Sequence, residues 1–316
     1  MQVVVLIAGA AAAPLRPWTG PDDKPEAAAC KAKIEELIRA SGAETVAVAL
    51  GYGTEGEILI NPDVSFHAAS TMKVPVMMEV FRQADQGMLS LDATLPVKND
   101  FVSLADGSHY SITSDSDSEQ SLYKKIGQPE KIRQLVRLMI TESSNLAANI
   151  LIEKVTAPRV MELMREIGAN KIQVLRGVED EKAYERQLNN TTTARDLMIV
   201  LSAIDEGRAV SKPACGEMIG ILLGQKFNEG IPAGLPPSGI RRVAHKTGSI
   251  TGIYHDAAIV YRAVRKPYVL VVLTLGIREE ARAQKLVAEI SRVIYEYSMN
   301  GPLIAAGASN ADGGLN

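Results

Sequence analysis

The side chains of Ser70 and Lys73 have the types and the spacing needed to form an activated nucleophile. They lie in residues 65–80, where a short polar start is followed by apolar residues that predict a helix. Side chains three residues apart share one helix face, so the Lys73 amine would lie beside the Ser70 hydroxyl. A serine needs a neighbouring base, and a lysine in apolar surroundings can be neutral enough to serve as one. The pair therefore predicts acyl transfer through Ser70.

This spacing is weak support when it is taken alone. Ser121 and Lys124 repeat it in a polar stretch with no apolar helix behind it. There, a serine that caps a helix and a solvated lysine account for the pattern. The same structural interpretation applies to Ser70 in isolation, so the other motifs must decide.

The second motif is Ser143, Ser144 and Asn145, at the junction of two predicted helices. A hydroxyl and a carboxamide at such a junction can face a cleft. Ser143 would then relay a proton, and Asn145 would donate to a substrate amide. An ordinary helix N-cap is the alternative for Ser143, and the Ser-X-Asn spacing recurs at Ser298.

The third motif is the run Lys246, Thr247, Gly248 and Ser249 on a predicted strand. A glycine inside a strand indicates that another part of the backbone passes close by. A lysine and two hydroxyls form a wall suited to an anion such as a substrate carboxylate. Lys-Thr-Gly occurs once in the chain, and we expect it to bind substrate rather than to form an exposed strand end.

Hydrophobic periodicity predicts the elements that position these motifs. The 316 residues, of which 46% are hydrophobic and 22% charged, suffice for one large domain or two lobes. The pattern predicts helices over residues 25–40, 132–141, 145–155, 159–167, 193–204 and 279–297, and strands over residues 45–51, 57–60, 242–249, 254–262 and 268–276. Residues 99–120 interrupt the pattern, and we expect them to form a long exposed loop.

The order of the elements predicts an α/β lobe made from both ends of the chain, with an all-helical lobe inserted into it. The predicted segments are a signal-like or disordered start (1–24), the α/β lobe (25–65 and 210–300), the helical lobe (66–209) and a tail (301–316). The first segment begins with a short apolar run that ends in small residues. It resembles a secretory signal without the basic start, and it is too short to span a membrane. We therefore expect export to the periplasm or the exterior.

Composition argues against several classes of partner. The net charge of −3 includes no basic stripe, and aromatic residues make up only 4% of the chain, which argues against nucleic-acid binding. Four scattered histidines and two distant cysteines lack the spacing of a zinc site, so we expect no metal and no cofactor. Cys30 and Cys215 are either buried thiols or, in an exported protein, a disulfide. The expected state is a monomer that binds a small molecule.

Taken together and in this order, the three motifs resemble those of the penicilloyl serine transferases, most closely the class A β-lactamases. The resemblance extends over residues 27–297 and includes neighbouring residues in 66–73, 147–149 and 191–194. It implies an α/β (α+β), β-lactamase/transpeptidase-like fold, in which helices flank a five-stranded antiparallel sheet and an all-helical lobe is inserted.

The resemblance also implies a role for each matching residue. Ser70 would be the nucleophile, Lys73 its proton partner and Ser143 the proton shuttle to the leaving nitrogen. Asn145 would orient the substrate amide. The substrate carboxylate would be held by Lys246, Thr247 and Ser249, and the oxyanion by the backbone N–H groups of Ser70 and Ser249.

The chain departs from the family pattern in the loop that carries the deacylating glutamate, Arg-X-Glu-X-X-Leu-Asn. Glu179 keeps the distance from Ser143 and from Arg176, whereas Glu185 keeps the Glu-X-X-Leu-Asn part. We prefer Glu179 as the base; that both are solvated loop charges is the alternative. Asn190 replaces an aspartate that usually pairs with the arginine, which we expect to loosen the loop.

Two further departures concern the cleft. Ser144 stands where most of the family has aspartate, so a structural hydrogen bond is either remade or missing. The distal arginine that often helps to bind the substrate carboxylate has no clear match, and Arg278 and Arg282 are the candidates.

The resemblance predicts a hydrolase that opens β-lactam rings through a Ser70 acyl-enzyme, which a carboxylate-activated water then hydrolyses. One alternative is a peptidase or esterase acting on cell-wall peptides or small esters. Another is a penicillin-binding sensor that stays acylated. Deacylation separates them, since a working base at Glu179 favours the hydrolase.

Overall fold

An antiparallel sheet combines strands from an early and a late part of the chain. The structure is a computed structural model that describes residues 25–52 and 55–299. The sheet strands are β1 (Thr45–Tyr52), β2 (Glu55–Ile60), β9 (Ile240–Ile250), β10 (Ile253–Arg262) and β11 (Tyr268–Leu275). Their spatial order is β2-β1-β11-β10-β9. Strands β1 and β11 pair from Thr45 with Leu275 to Gly51 with Val269. The predicted five-stranded antiparallel sheet is confirmed.

The helices and short strands complete the architecture. The helices are α1 (Pro25–Ser41), α2 (Lys73–Asp85), α3 (Ile132–Thr141), α4 (Asn145–Val155), α5 (Ala157–Glu166), α6 (Glu181–Glu185), α7 (Ala194–Asp205), α8 (Lys212–Leu222) and α9 (Glu280–Ser298). Short two-stranded pairs are formed by β3 (Phe66–His67) with β8 (Thr191–Thr192), β4 (Thr94–Pro96) with β7 (Pro129–Lys131), and β5 (Phe101–Val102) with β6 (His109–Tyr110).

Alternation along the sheet strands separates two hydrophobic clusters. On β1, Val46, Val48 and Leu50 belong to the smaller cluster with α1 and α9, whereas Ala47 and Ala49 face the larger cluster. Successive strand residues point to opposite faces, which produces this division. Helix α7 packs against β1, β10 and β11 on the larger-cluster face. The small side chains on that face of β1 leave room for a helix backbone.

Helix α2 lies inside the larger cluster, and its residues from Lys73 to Gln83 are all buried. A helix that is surrounded by protein can be apolar on every side, as most of this one is. Its buried polar residues are paired. Glu79 accepts hydrogen bonds from Arg82 and Gln83, each 2.7 Å long. Because α2 is enclosed on all sides, the position of its first residue, Lys73, is fixed.

The structure differs from the predicted elements in three places. Helix α8 was not predicted, since Gly216 and Gly220 lower the helix propensity of its sequence. Helix α6 is too short to produce a periodic pattern. The segment 99–120 is not a uniformly exposed loop, because it contains β5, β6 and a 3₁₀ helix, and Asp117 within it is 4% exposed.

The division into two lobes stays a prediction. Helix α7, which belongs to the predicted helical lobe, packs on the sheet of the α/β lobe. Cys30 lies in the smaller cluster and Cys215 in the larger one. The signal-like start and the tail lie outside the described residues. Across residues 25–52 and 55–299, we find no helix that is both long and apolar enough to cross a membrane.

The enclosure of α2 predicts unequal costs for truncating two methionines. Met77 is 0% exposed in the larger cluster, whereas Met88, just after the helix, is 51% exposed. Met77→Ala should lower the free energy of unfolding by about 2–5 kcal/mol, because a cavity is left in the core. Met88→Ala should change it by less than about 0.5 kcal/mol. Urea denaturation of both variants measures this difference, and equal effects would contradict the buried position of α2.

Candidate active site

Ser70 is held in a 3₁₀ helix, Ala69–Met72, that leads directly into α2. The residue before it, Ala69, has a left-handed backbone with φ of 45°. The Ala69 N–H donates to His67 Nδ1 at 3.1 Å, and the Thr71 hydroxyl donates to the Ala68 carbonyl at 2.6 Å. Burial lowers the pKa of His67, which favours the neutral ring that can accept this bond. Local hydrogen bonds thus fix the unusual turn that presents Ser70.

The amine of Lys73 is buried and contacts four oxygen atoms. It lies 3.0 Å from Ser70 Oγ and 2.7 Å from Asn145 Oδ1. It also lies 2.5 Å from the Ser143 carbonyl and 3.2 Å from Ser143 Oγ. Loss of water lowers the pKa of Lys73 to about 7, although the charges of Asp117 and Glu179 oppose the change. Near neutral pH, the amine can therefore take a proton from the hydroxyl it touches.

The hydroxyl of Ser143 lies between two buried amines. Lys246 Nζ is 3.0 Å from Ser143 Oγ and 2.8 Å from the Thr247 carbonyl. Burial, together with repulsion from Lys73, lowers the pKa of Lys246, while Asp256 opposes this. Ser143 has φ of 59°, an uncommon backbone conformation for serine. The result is a continuous chain of contacts from Ser70 through Lys73 and Ser143 to Lys246.

Glu179 is the loop carboxylate that reaches this group. Its Oε1 accepts from Asn145 Nδ2 at 2.6 Å, and its Oε2 accepts from the Ser116 hydroxyl at 2.8 Å. The Asn145 amide therefore bridges Lys73 and Glu179. Glu185 instead lies exposed at the end of α6. Of the two glutamates considered from the sequence, Glu179 is the one in contact with the other candidate residues.

The remaining candidate residues line the same cleft. This cleft has a volume of about 220 Å³ and is lined by Ser70, Ser143, Asn145, Thr247 and Ser249. Its walls also include Ser116, Ser118, Phe227, Glu229, Tyr254, Glu280 and Gln284. The structure thus brings the predicted residues together, with Lys73, Lys246 and Glu179 in hydrogen-bond contact with the lining side chains.

Strand β9 passes very close to the backbone around Ser70. A Cβ atom added to Gly248 would lie 3.0 Å from the Ser70 nitrogen and 3.1 Å from the Thr71 nitrogen. Only a glycine permits this approach without displacing the turn. The contact explains the glycine in the strand and brings the β9 backbone beside the nucleophile.

Comparison with known proteins identifies the family. The family model described as the Beta-lactamase enzyme family matches residues 29–298 of this chain. The chain belongs to the beta-lactamase enzyme family.

Individual members of the beta-lactamase family are distant relatives. The chain is 23% identical over 279 residues to the extended-spectrum beta-lactamase PER-1 of Pseudomonas aeruginosa, covering 85% of this chain and 87% of the relative. It is 26% identical over 298 residues to a beta-lactamase of Bacillus licheniformis, with 89% and 88% covered. A solved beta-lactamase structure from Xanthomonas campestris pv. campestris has a TM-score of 0.75 at 18% identity, with 86% and 98% covered. That last likeness shows the shared fold.

The loop that carries Glu179 is closed by an amide instead of the aspartate common in the family. Asn190 Oδ1 accepts from the backbone N–H groups of Leu175 and Arg176 at 2.8 and 3.2 Å, and its Nδ2 donates to the Arg176 carbonyl at 2.9 Å. The Arg176 guanidinium donates to the Leu188 carbonyl at 2.8 Å. The loosening expected from the lost ion pair stays a prediction.

Several residues of the site were missed from the sequence. Asn149, noted only as a neighbour of the second motif, accepts from the Val178 N–H at 2.6 Å and so holds the residue before Glu179. Ser116 and Asp117 lie in the segment that we expected to be exposed. A carboxylate close to a helix start in space, but distant in sequence, leaves no local signal.

The structure locates the second Ser-X-X-Lys pair and the two candidate arginines. Lys124 is exposed, as the structural interpretation of that pair predicts. Ser121 is not the helix cap that this interpretation assumed, because Gln120 precedes the 3₁₀ helix and the Ser121 hydroxyl donates to the Glu119 carboxylate. Arg282 donates to the Ser41 carbonyl at 3.1 Å, and Arg278 is exposed. The cleft lining includes Tyr254, Glu280 and Gln284, and neither arginine is among the described residues that line it.

The close approach at Gly248 predicts opposite effects for two glycine substitutions. Gly248→Ala should destabilise the fold by about 1–3 kcal/mol, because the added methyl group meets the Ser70 and Thr71 backbone. Gly216→Ala, in an open position inside α8, should stabilise it by about 0.5–1 kcal/mol. Denaturant unfolding measures both values. A Gly248→Ala variant as stable as the parent would contradict the tight contact.

Proposed function

We propose that this protein hydrolyses β-lactams through an acyl-enzyme on Ser70, with Glu179 as the base for deacylation. The observation that carries the proposal is the chain of contacts around one cleft. Contacts of 3.0 to 3.2 Å link Ser70 to Lys73, Lys73 to Ser143, and Ser143 to Lys246. Asn145 connects Glu179 to the same amine. Membership of the beta-lactamase family supports the same assignment.

In the acylation step, neutral Lys73 accepts the proton of the Ser70 hydroxyl while Ser70 Oγ attacks the lactam carbonyl carbon. The carbonyl electron pair moves to oxygen, where the N–H groups of Ser70 and Ser249 donate to it. Ser143 gives its proton to the lactam nitrogen as the C–N bond breaks, and it takes a proton from Lys73 in return. Lys246 donates to Ser143 Oγ and holds the hydroxyl in place.

In the deacylation step, Glu179 accepts a proton from water as the water oxygen attacks the ester carbonyl. The ester bond to Ser70 breaks, and the proton held by Glu179 passes to the serine oxygen, which restores the Ser70 hydroxyl and the Glu179 carboxylate. Each Glu179 oxygen accepts one side-chain hydrogen bond, from Asn145 or from Ser116. A carboxylate oxygen has two lone pairs, so a site for a water proton remains.

The substrate is proposed to be a small molecule with a carboxylate beside the lactam. Thr247 and Ser249 line the cleft, and the Lys246 amine donates to the Thr247 carbonyl beside them. The proposal places the protein outside the cytoplasm as a monomer. That part rests on the sequence alone, since residues 1–24 lie outside the described part of the structure.

Two glutamine substitutions test the deacylation base. Glu179→Gln should acylate but stop at the adduct, because the amide cannot accept the water proton. Glu185→Gln, a matched change on exposed α6, should turn over normally. The measurement combines absorbance of a chromogenic cephalosporin with intact mass after mixing with a penicillin. Ser70→Ala should show neither turnover nor adduct.

The outcomes separate first the two candidate bases and then the candidate functions. Arrest in Glu185→Gln with turnover in Glu179→Gln would reverse the assignment of the base. A wild-type protein that keeps a stable adduct would be a penicillin-binding sensor rather than a hydrolase. A protein that gives no adduct would leave peptides and esters as the substrates to examine.

The buried amine predicts a pH dependence for acylation. Burial lowers the pKa of Lys73 to about 7, against the opposing charges of Asp117 and Glu179. Because the neutral amine is the base, the acylation rate should rise with pH and level off above about 7. Below that value the rate should fall by about tenfold per pH unit. Stopped-flow acylation of the Glu179→Gln variant isolates this step, and its midpoint should lie below that of the wild type because the variant lacks a charge that raises the Lys73 pKa. A rate that does not change across this range would contradict the role of Lys73.

A further inference from the structure

Asp117 is a buried carboxylate at the start of α4, although it comes from the segment that we expected to be an exposed loop. Asp117 is 4% exposed. One oxygen, Oδ2, accepts from the backbone N–H groups of Asn145 and Leu146, both at 2.9 Å. The same oxygen accepts from the Tyr123 hydroxyl at 3.1 Å and lies 3.4 Å from the Ser144 hydroxyl. The other oxygen accepts from the Glu119 N–H at 3.1 Å.

The start of α4 requires such an acceptor. The first N–H groups of a helix have no partner within the helix. Ser144 caps only one of them, by accepting from the Ala147 N–H at 3.2 Å. Without Asp117, the N–H groups of Asn145 and Leu146 would lose the partner described above, which would destabilise the start of the helix. A negative charge is also favoured at this end of the helix dipole.

The residues that Asp117 holds are those that contact the reacting groups. Asn145 follows directly on the turn at Ser143, whose φ of 59° requires support from its surroundings. The Asn145 side chain joins Lys73 to Glu179. A small displacement of this turn would therefore change the contacts of the base, the proton shuttle and the deacylating carboxylate together.

The two neighbours of Asp117 reinforce the same arrangement. Ser116 donates to Glu179 Oε2 at 2.8 Å, and Ser118 donates to the Glu142 carbonyl at 2.5 Å. Residues 116–118 thus contact the loop of Glu179, the start of α4 and the end of α3. These contacts account for the burial of Asp117 and for the backbone N–H groups that donate to its oxygens.

We propose that Asp117 is a positioning residue of the active site, which supplies from segment 99–120 the carboxylate that Ser144 lacks. The proposal rests on the function proposed above, because the groups it positions are those of that reaction. Asp117 is not among the residues that line the cleft. It therefore acts on the reacting groups through the Ser143–Asn145 turn and through its charge. Ser144 Oγ and Asp117 Oδ2 are 3.4 Å apart, so the two side chains meet at one location.

Electrostatics supports this role independently of the hydrogen bonds. The charges that face Lys73 are those of Asp117 and Glu179, and Lys246 lies on the far side of Ser143. Asp117 raises the pKa of Lys73 against the effect of burial. Burial and the charge of Asp117 also raise the pKa of Tyr123, so its hydroxyl remains a donor. Removal of the Asp117 charge should therefore lower the pKa of Lys73.

Exchange of the carboxylate between the two positions tests the proposal. Asp117→Asn should lower kcat/KM for a chromogenic cephalosporin by roughly 100-fold, as expected when catalytic groups are misplaced. Ser144→Asp alone should also lower it, because two carboxylates would then meet at one location. The double variant should exceed both single variants, since aspartate at 144 restores one carboxylate and still caps the helix. Asp115→Asn, an exposed neighbour, serves as the control and should match the wild type.

A second readout does not require turnover. NMR titration of ¹³C-lysine-labelled protein, with the Lys73 signal assigned through Lys73→Arg, follows the pKa of the amine. That pKa should fall in Asp117→Asn and recover in the double variant. A residue with a purely structural role would change thermal stability without this shift. If Asp117→Asn does not fold, the comparison of the double variant with Ser144→Asp still decides.

The two proposals fail in distinguishable ways. If the wild type neither turns over β-lactams nor forms an adduct, the proposed function is wrong, while the Lys73 titration still tests Asp117. If the wild type is active but the double variant is no better than either single variant, Asp117 does not supply the missing carboxylate. An unchanged Lys73 pKa in Asp117→Asn would also overturn the inference.

Discussion

The candidate active site depends on the burial of one amine, that of Lys73. A charged lysine loses its hydration on burial, and this cost is what lowers its pKa. The surroundings reduce the cost without removing it. Four oxygen contacts satisfy the amine, and two carboxylates, Asp117 and Glu179, act on it through their charge. Enclosure of α2 in the core keeps water out, so the fold itself sets the basicity of this group.

The site also holds three residues in left-handed backbone conformations. Ala69, Ser143 and Glu179 have φ of 45°, 59° and 59°, in a region that residues other than glycine rarely adopt. Each lies immediately before, or is itself, a residue of the proposed reaction. Such strain persists only where neighbouring contacts determine the conformation. The His67 ring supports the first and the Asp117 carboxylate the second. The third is held by Asn149 and Ser116.

Local patterns were enough to predict much of this molecule. Ser70 and Lys73 lie on one face because they are three residues apart, and Gly248 marks a close approach because it interrupts a strand. The residue pattern predicted the strands, whereas the five-stranded antiparallel sheet was implied by the family resemblance. Asp117 was beyond this kind of reasoning, since its partner Asn145 is 28 residues away and only tertiary structure brings them together. The absence of aspartate at Ser144 was visible, but the residue that replaces it was not.

The contact of two amines with one hydroxyl suggests how the proton moves in the proposed reaction. Lys73 and Lys246 both donate to Ser143 Oγ, at 3.2 and 3.0 Å. Repulsion from Lys73 lowers the pKa of Lys246, and Coulomb repulsion is mutual. A charge that Lys73 gains with the proton of Ser70 therefore repels any charge carried by Lys246. Release of a proton through Ser143 to the leaving nitrogen relieves that repulsion. The second lysine thus favours proton transfer in the direction that the reaction needs.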